Sequence, residues 1–587
     1  MRYSIITLFT ALIVTVTGWA QSANSNQNDF LTTIPQEKVF VQYNESLLFS
    51  GEPLLYKLYS LDAQKRKLTT ISKIGYVSLV DKNGNTVFTH KVRLTNGAGY
   101  GDFFVPTSIP TGSYKLLGYT QWMKNFGSEN FFQSDIHIIN PYQPIPEEYL
   151  AKPLDSMQMA NQSRVKASPN VATTRTAEAP IQVSLDKESL GQRERLTVNF
   201  TTSDENLKAG NYALSIRKMD GVDAPNRMGP ADFVSQYLNK RNNANGSGQF
   251  SLPELRGEVL SGTITNKDSN TPAADVRVSL SLPGDNYLFN VATSDQNGRF
   301  RFLLDQEYDN VTAAFQVLAD NWDDYEITMD EAQKRFDNLN ISELEVSESL
   351  GEFILQKSIE NQIENGFRAV KSDSVLPAVH EQPFYRKFTV DYNLDDYTRF
   401  NSIQETIIEV VDQLSVRRLD NGERAFEIRP EQGFTDLALL PMVFVDGLFI
   451  KKHEDFMDYS AKKIQRIRFS REKVILGPQV FQGVLHFETI EGDFYSDFYT
   501  PHIVNQNLFK PQTKKIHFNQ GYGSGANQSR VPDFRHQLLW EPNLDLSAGN
   551  NEVSLYTSDV AGTYLLILEG FSSTGTPVSV KRQFKVQ

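Results

Sequence analysis

Residues 76–84 read Tyr-Val-Ser-Leu-Val-Asp-Lys-Asn-Gly and combine an alternating strand with a turn. Asn83 and Gly84 both tolerate the positive φ that a tight turn between antiparallel strands requires. The upstream runs at residues 39–41 and 54–59 have the same short, apolar, alternating character. Strands of this length, repeated at this spacing, are typical of a β-sandwich. This part of the chain therefore predicts a fold that is mainly β.

The same alternation returns further along the chain, interrupted by polar stretches and by segments of helical period. We expect tandem β-sandwich domains with one α+β domain among them. The predicted divisions are 1–20 (signal peptide), 31–144 (β-sandwich), 145–180 (linker), 181–252 (second β-sandwich with a loop insertion), 253–325 (third β-sandwich), 326–379 (helical connector), 380–500 (α+β domain) and 530–587 (C-terminal β-sandwich).

Two segments carry apolar residues about four positions apart, which predicts a helix with one apolar stripe. The first stripe is Leu355, Ile359, Ile363 and Phe367. The second is Ile403, Ile407, Val410 and Leu414. Ser402 followed by Glu405 fits a capping box, which would fix the start of the second helix.

The N-terminus has the pattern of a secretory signal peptide. A positive Met1-Arg2 start precedes an apolar run to Ala20, and Gly18 and Ala20 supply the small residues of a cleavage site. An uncleaved anchor helix is the alternative, but the run is short and no stop-transfer charges follow it. We therefore expect an exported protein.

Composition argues against several classes of function. The 587 residues contain no cysteine, and 58 basic against 71 acidic side chains give a formal charge of −13. Thiolate catalysis and sulfur-ligated zinc are excluded, and no basic field favours nucleic acid. The eight histidines are scattered, and no nucleophile elbow is present. We expect no catalytic residues, no metal and no cofactor, and hence a protein that is not an enzyme.

Four groups of motifs resemble domains of large exported Bacteroidota proteins. A macroglobulin-type domain is suggested by residues 37–41, 49–51, 112–116 and the run Tyr119-Thr-Gln-Trp-Met-Lys-Asn-Phe-Gly127. A carboxypeptidase regulatory-like domain is suggested by residues 257–259, 271–272, 276–278 and 294–300. The plug domain of TonB-dependent receptors is similar to residues 441–447, 464–467, 477–478 and 483–484. The closing sandwich of the same proteins resembles residues 532–535, 540, 556–559 and 562–564.

The resemblance names the fold class as immunoglobulin- or macroglobulin-like sandwiches with one plug-like α+β domain. Because no nucleophile, metal or phosphate constellation is evident, we expect a non-catalytic protein that binds other proteins. The plug-like resemblance implies a periplasmic component, associated with the outer membrane through a partner, that docks on an outer-membrane transport, secretion or assembly complex. Its partner would be an outer-membrane or periplasmic protein, such as a barrel protein. Covalent trapping of proteases is excluded, because the thioester requires cysteine. Only 87 residues follow residue 500, too few even for eight strands of about 10 residues each with their turns. A peptide- or glycan-binding role, or a hydrolase with a site assembled from distant residues, remains the alternative.

Two candidate partner contacts follow from the motifs. Phe126, Phe131 and Phe132 lie near a glycine and are candidates for an exposed aromatic contact, although a place in the core is the favoured interpretation because sandwich interiors need large side chains. Gly477, Pro478 and Phe481 lie where the plug resemblance places a turn between two strands. These six residues are the predicted contact sites.

Overall fold

The computed structural model describes residues 35–151, 180–240, 251–308, 311–379, 383–477, 479–498, 500–522, 530–548 and 550–587. The predicted signal peptide and most of the predicted linker lie outside them. The first strands are β1 (Glu37–Tyr43), β2 (Leu47–Phe49), β3 (Pro53–Asp62), β4 (Ile74–Asp81), β5 (Thr86–Arg93), β6 (Ala98–Phe104), β7 (Gly112–Tyr119), β8 (Phe132–Ile139), β9 (Gln182–Leu185), β10 (Ser189–Leu190), β11 (Arg195–Thr201) and β12 (Asn211–Lys218).

The remaining strands are β13 (Glu258–Asn266), β14 (Arg277–Leu282), β15 (Leu288–Thr293), β16 (Arg299–Leu304), β17 (Thr312–Val317), β18 (Tyr325–Met329), β19 (Ser374–Val375), β20 (Val390–Asn393), β21 (Leu414–Arg418), β22 (Arg424–Ile428), β23 (Met442–Val445), β24 (Leu448–Phe449), β25 (Ile464–Leu476), β26 (Gln479–Thr489), β27 (Val504–Asn507), β28 (Lys515–Ile516), β29 (Gln537–Leu544), β30 (Asn550–Tyr556), β31 (Gly562–Phe571) and β32 (Pro577–Val586). The α-helices are α1 (Glu205–Lys208), α2 (Pro230–Phe233), α3 (Gly351–Gly366), α4 (Ile403–Val410), α5 (Glu454–Met457) and α6 (Phe494–Asp497). The fold is therefore mainly β.

The chain divides into two compact units. Unit 1 comprises Met1–Leu255, Gln333–Leu376 and Pro511–Gln587, and unit 2 comprises Arg256–Ala332 and Pro377–Lys510. No helix in the described residues is both long enough and apolar enough to cross a membrane.

Unit 1 begins with a sandwich of two sheets, one in the order β1-β3-β6 and the other in the order β2-β8-β7-β4-β5. Side chains of β1 meet those of β8 between the sheets: the Phe40 and Phe132 rings are 5.7 Å apart, edge to face. The Tyr43 and Ser134 hydroxyls form a 2.6 Å hydrogen bond in the same layer. The strand around Tyr76 pairs with β5 across the Asn83-Gly84 turn, which confirms the predicted hairpin.

The second sandwich of unit 1 corrects the sequence-based division. Residues 181–252 and 530–587 were expected to form separate sandwiches, but their strands share two sheets, β10-β32-β31-β12-β29 and β30-β11-β9. β12 pairs with both β29 and β31, and β11 pairs with β30 over seven residues. Neither segment alone provides both sheets of a sandwich. Strands separated by more than 300 residues of chain therefore pack together around one shared core.

Unit 2 contains a smaller sandwich and an α+β domain. The sandwich sheets are β16-β13-β18 and β15-β14-β17-β27. It extends past the predicted boundary at residue 325, because β18 runs to Met329 and β27 returns from beyond residue 500 to pair with β17. The α+β domain has the mixed sheet β20-β25-β26-β23-β24, the helix α4 and the hairpin β21–β22.

Helix α4 begins and packs as its sequence predicts. The Ser402 hydroxyl accepts a hydrogen bond from the Glu405 backbone amide at 3.2 Å, and the Glu405 carboxylate accepts one from the Asn401 amide. Ile403 and Ile407 are fully buried in the domain core. The helix ends at Val410, so the last residue of the predicted stripe, Leu414, is buried at the start of β21 instead.

Candidate interaction surfaces

The macroglobulin-type motifs meet at one buried carboxylate. Glu37 accepts hydrogen bonds from the Ser72 amide (2.9 Å) and hydroxyl (2.5 Å), and from the hydroxyls of Thr120 (2.8 Å) and Ser60 (3.3 Å). Burial raises the pKa of Glu37, and the hydrogen bonds from Ser72 oppose that rise. The Trp122 indole donates to the Pro35 carbonyl at 3.0 Å. These residues fasten the first strand to the 120–126 turn, so the motif holds the fold.

The aromatic patch predicted at Phe126, Phe131 and Phe132 is not a surface. All three side chains are buried. Phe131 stacks on Tyr119 with ring centroids 4.5 Å apart, and Phe132 packs against Phe40. The neighbouring Gly127 permits the reversal that turns these rings inward, with φ of 86°. The prediction of an exposed contact here was wrong, because aromatic stacking in the core uses these side chains.

The plug-like motif at residues 441–447 also has a structural role. Asp446 has a positive φ of 45° and precedes Gly447, whose φ is 82°. Its carboxylate accepts hydrogen bonds from the Thr489 amide (2.8 Å) and hydroxyl (2.5 Å), and from the Phe494 amide (3.0 Å). This one side chain joins the β23–β24 turn to the end of β26 and to α6.

The predicted turn near residue 477 is the tip of the long β25–β26 hairpin, where Leu476 pairs with Gln479. Gly477 is exposed with φ of 57°, whereas Phe481 is buried beside Val474 in a core cluster with Phe289 and Phe444. Pro478 lies outside the described residues. The turn is therefore confirmed, but Phe481 is a core residue that anchors the hairpin.

The opposite face of this hairpin exposes apolar side chains that the sequence analysis missed. Ile475 and Val480 form a cross-strand pair, 67% and 38% exposed. The adjacent loop at residues 429–441 adds Phe434, which is 99% exposed, and Leu437, which is 66% exposed. We call these four side chains the hairpin-tip surface. One sequence feature could have indicated this exposed loop: Phe434 lies in the turn-like run Gly-Phe-Thr-Asp, between prolines at positions 430 and 441.

Hydrogen bonds and an ion pair hold the loop on the hairpin. Lys473 precedes Ile475 by two residues and lies 3.3 Å from Asp436, which is next to Leu437. The Gln482 backbone amide donates to the Leu440 carbonyl at 2.9 Å. Arg471 donates to the carbonyls of residues 429 and 430. The exposed apolar residues therefore project from a supported scaffold.

Helix α3 confirms the predicted helix but exposes most of its apolar stripe. In the stripe of Leu355, Ile359, Ile363 and Phe367, Leu355 is 62%, Ile359 44% and Phe367 38% exposed, and Ile363 is half-buried. The buried residues of the helix are Lys357, Ser358, Glu360 and Asn361. An amphipathic helix usually buries its apolar face. This one buries a mixed face, on which Phe353 and Ile354 pack against a small apolar cluster and the fully buried side chains are polar.

The buried side of α3 enters a network of charges, which we call the α3 ionic network: Glu45, Glu52, Arg217, Asp220, Lys357, Glu360 and His536. Lys357 contacts Asp220 and lies 3.6 Å from Glu52. Arg217 lies 2.9 Å from Glu52 and 3.3 Å from Glu45. His536 bonds Glu360 at 2.6 Å and lies 3.5 Å from Asp220. The network joins α3 to both sandwiches of unit 1.

Electrostatics in this network favours the ionised forms. Burial alone would raise the pKa of Asp220, but attraction to Lys357, the hydrogen bond with His536 and attraction to Arg217 lower it. The pKa of Glu52 is likewise lowered by Arg217 and Lys357 against the effect of burial. Glu45, Glu52 and Asp220 each face Arg217 or Lys357, as the burial of charge requires. This arrangement is that of a structural anchor.

A second ionic cluster accounts for the closing-sandwich motifs. The Arg535 guanidinium donates two hydrogen bonds of 2.7 Å to the Asp533 carboxylate, which makes a bidentate ion pair. Arg193 forms a second bidentate pair with Asp559, with both hydrogen bonds at 2.6 Å. Lys371, just beyond α3, lies 3.5 Å from Asp533. Within the part of the chain that the structure describes, no three His, Asp or Glu side chains group in a way that could hold a metal ion.

Comparisons with known proteins yield only remote similarities. No protein-family model and no curated protein matches the chain. Among solved structures, Salmonella alpha-2-macroglobulin reacted with methylamine is similar at 9% identity and a TM-score of 0.22, covering 94% of this chain and 39% of that one. Native Escherichia coli alpha-2-macroglobulin is similar at 9% identity and a TM-score of 0.23, covering 94% of this chain and 40% of that one. The adhesin FdeC of Escherichia coli is similar at 12% identity and a TM-score of 0.13, covering 48% of this chain and 60% of that one.

The chain thus spans about two fifths of the length of the macroglobulins it matches. Similarities this remote define neither a family nor a function for it.

Proposed function

We propose that this protein is a non-catalytic, periplasmic interaction component that docks on an outer-membrane transport, secretion or assembly complex. The observation that carries the proposal is the hairpin-tip surface: exposed Ile475 and Val480 on the hairpin, with exposed Phe434 and Leu437 on the loop that hydrogen bonds hold against it. Exposed apolar patches on folded domains mark sites of contact with other proteins.

The shape of the surface suits insertion against a partner. Its hairpin is anchored on one face through Val474 and Phe481, so little conformational entropy is lost when the other face binds. Phe434 supplies a large rigid ring of the kind that dominates binding energy at interfaces. The plug-like resemblance of this domain makes a barrel protein of the outer membrane the proposed partner.

Site-specific photo-crosslinking in cells tests the proposal. A photoreactive residue at Phe434 is expected to crosslink an outer-membrane protein, and the same residue at Ile408, which is exposed on α4 of the same unit, is not. Replacing both Ile475 and Val480 with Ser should abolish the Phe434 crosslink while the protein remains folded.

Two outcomes would contradict the proposal. One is recovery of the protein alone from gently solubilised envelopes after crosslinking at Phe434. The other is a product that forms equally well from position 408 or in the Ser variant, because such a product would not depend on the hairpin-tip surface. Cell fractionation that placed the mature chain in the cytoplasm would separately contradict the proposed periplasmic location.

A further inference from the structure

Lys57 is a buried lysine of β3 whose amine faces oxygen atoms of β12 and β29. Its side chain is completely buried. The Nζ atom donates to the Tyr212 carbonyl at 3.1 Å, contacts the Pro542 carbonyl oxygen and lies 3.4 Å from the side-chain oxygen of Asn543. Among the described residues, no carboxylate forms an ion pair with this amine. Burying a cation without a counter-ion is costly, so the site favours the neutral amine.

The neutral amine of Lys57 is a nucleophile directed at an acyl group. Burial lowers the pKa of Lys57 to about 7, although the Glu541 carboxylate opposes that effect. A lysine desolvated in this way is nucleophilic at neutral pH. The two N–H groups of the neutral amine are taken by the carbonyls of Tyr212 and Pro542, which leaves the nitrogen lone pair for the third neighbour. That neighbour is the Asn543 carboxamide.

Glu541 places a proton carrier beside the two groups. It lies two residues before Asn543 on β29, and its carboxylate accepts a hydrogen bond from the Asn543 backbone amide at 2.9 Å. A carboxylate in such a position can take a proton from an attacking nitrogen and give it to a leaving one. Asn543 is itself exposed, so a small leaving group has a route to solvent.

We propose that Lys57 and Asn543 form an intramolecular isopeptide bond. The Lys57 Nζ attacks the Asn543 Cγ, and a proton passes from that nitrogen through the Glu541 carboxylate to the Asn543 Nδ2. The Cγ–Nδ2 bond then breaks, ammonia leaves, and an amide joins the two side chains. The step needs no oxidant, reductant or co-reactant. This inference does not depend on the proposed docking function.

The bond would connect the two sandwiches of unit 1 covalently. Lys57 belongs to the first sandwich, and Asn543 belongs to the second sandwich, near the other end of the chain. The chain contains no cysteine, so no disulfide can serve this purpose. A cross-link between residues so distant in sequence restricts the unfolded chain and thereby stabilises the folded one.

A second contact between a lysine and an asparagine in unit 1 provides an internal control. The Lys38 Nζ lies 3.5 Å from the Asn130 side-chain oxygen. Burial lowers the pKa of Lys38 to about 8, and repulsion from Lys240 adds to that effect. The charge that acts on this amine is therefore a cation, where Lys57 has the Glu541 carboxylate. We expect no bond between Lys38 and Asn130, because no carboxylate is placed to carry the proton.

Mass spectrometry of the full chain tests the bond. The intact mass should be lower than the mass calculated for the purified chain by one molecule of ammonia. A tryptic digest should contain a branched peptide that joins Lys57 to Asn543 and none that joins Lys38 to Asn130. The branched peptide distinguishes the bond from loss of ammonia at another asparagine. An intact mass equal to the calculated one, or separate peptides for residues 57 and 543, would overturn the inference.

Three variants test the roles of the residues, with thermal melting to show that each remains folded. Lys57→Met and Asn543→Ser should each restore the calculated mass, and a mass deficit that persists in both would contradict the proposal. Glu541→Gln preserves the size of the side chain but cannot carry the proton, so it should slow bond formation about a hundredfold and leave most of the freshly purified chain unlinked. A fully linked Glu541→Gln chain would show that the proposed proton route is wrong.

Discussion

Helices α3 and α4 have similar apolar periodicity but opposite orientations. In α4, Ile403 and Ile407 are completely buried, whereas in α3 the equivalent positions Leu355 and Ile359 are largely exposed. The difference lies in the polar residues between them. Lys357 of α3 pairs with buried Asp220 and Glu360 hydrogen-bonds to buried His536, and α4 has no such set on its outer side among the described residues. An apolar stripe in the sequence predicts a helix. Which side of that helix is buried depends on whether its polar residues find buried partners.

The largest expected effect comes from removing the cation that anchors α3. Lys357→Met should lower the free energy of unfolding by about 4 kcal/mol, because buried Asp220 and Glu52 lose a counter-charge. Urea unfolding measures the loss. Gln356→Met is the matched control on the exposed side of the helix, and its effect should stay within about 0.5 kcal/mol. Equal effects of the two substitutions would mean that the polar side of α3 is not the anchored one.

The apolar stripes should differ in the same experiment. Ile407→Ala removes a fully buried side chain from α4 and should cost about 3 kcal/mol, while Ile359→Ala on α3 should cost less than about 1 kcal/mol. The same substitution in both helices removes the same atoms, so the contrast reports burial alone. A large cost at Ile359 would contradict its exposure.

The two helices should also respond differently to acid. Asp220, Glu52 and Glu360 have a lowered pKa in the folded chain, so the stability they contribute is present above their unfolded pKa of about 4 and is lost as the pH falls below it. The penalty of Lys357→Met should therefore shrink in acid, whereas that of Ile407→Ala should not. Urea unfolding at neutral and acidic pH measures both, and parallel curves would count against the α3 ionic network.

The smallest expected effect concerns the helix starts. Ser402→Ala removes the hydroxyl that caps α4 and should cost about 1 kcal/mol. Ser402→Thr keeps the acceptor and should cost less. Helix α3 begins after Leu350, which makes no side-chain cap, so its stability depends on the α3 ionic network instead. An unchanged stability of Ser402→Ala would show that packing alone fixes α4.

The strands, the β25–β26 turn and the capped helix α4 could be predicted because each depends on residues close in sequence. Strand pairing could not, since alternation marks a strand without naming its neighbour, and β11 pairs with β30 more than 300 residues away. The aromatic patch failed for a related reason. Phe131 and Phe132 have polar neighbours in sequence, but the sheets bring Tyr119 to stack on Phe131 and Phe40 to meet Phe132 edge to face.

The hairpin-tip surface could not be predicted from the sequence, because its apolar residues resemble core residues in pattern but are exposed. Ile475 and Val480 alternate with Val474 and Phe481, so the pattern identifies two faces but not which of them meets a core. The loop containing Phe434 joins this surface only through contacts such as Lys473 with Asp436. Exposure of apolar side chains is a property of the assembled domain.

The chain contains no cysteine, so single thiols test the orientation of α3 most directly. Ile359→Cys and Ile407→Cys are labelled with a maleimide in the folded protein. The account predicts that the thiol at position 359 reacts nearly as fast as in urea, and that the thiol at position 407 reacts only on unfolding. A protected thiol at position 359 would contradict the claim that α3 turns its apolar side outward.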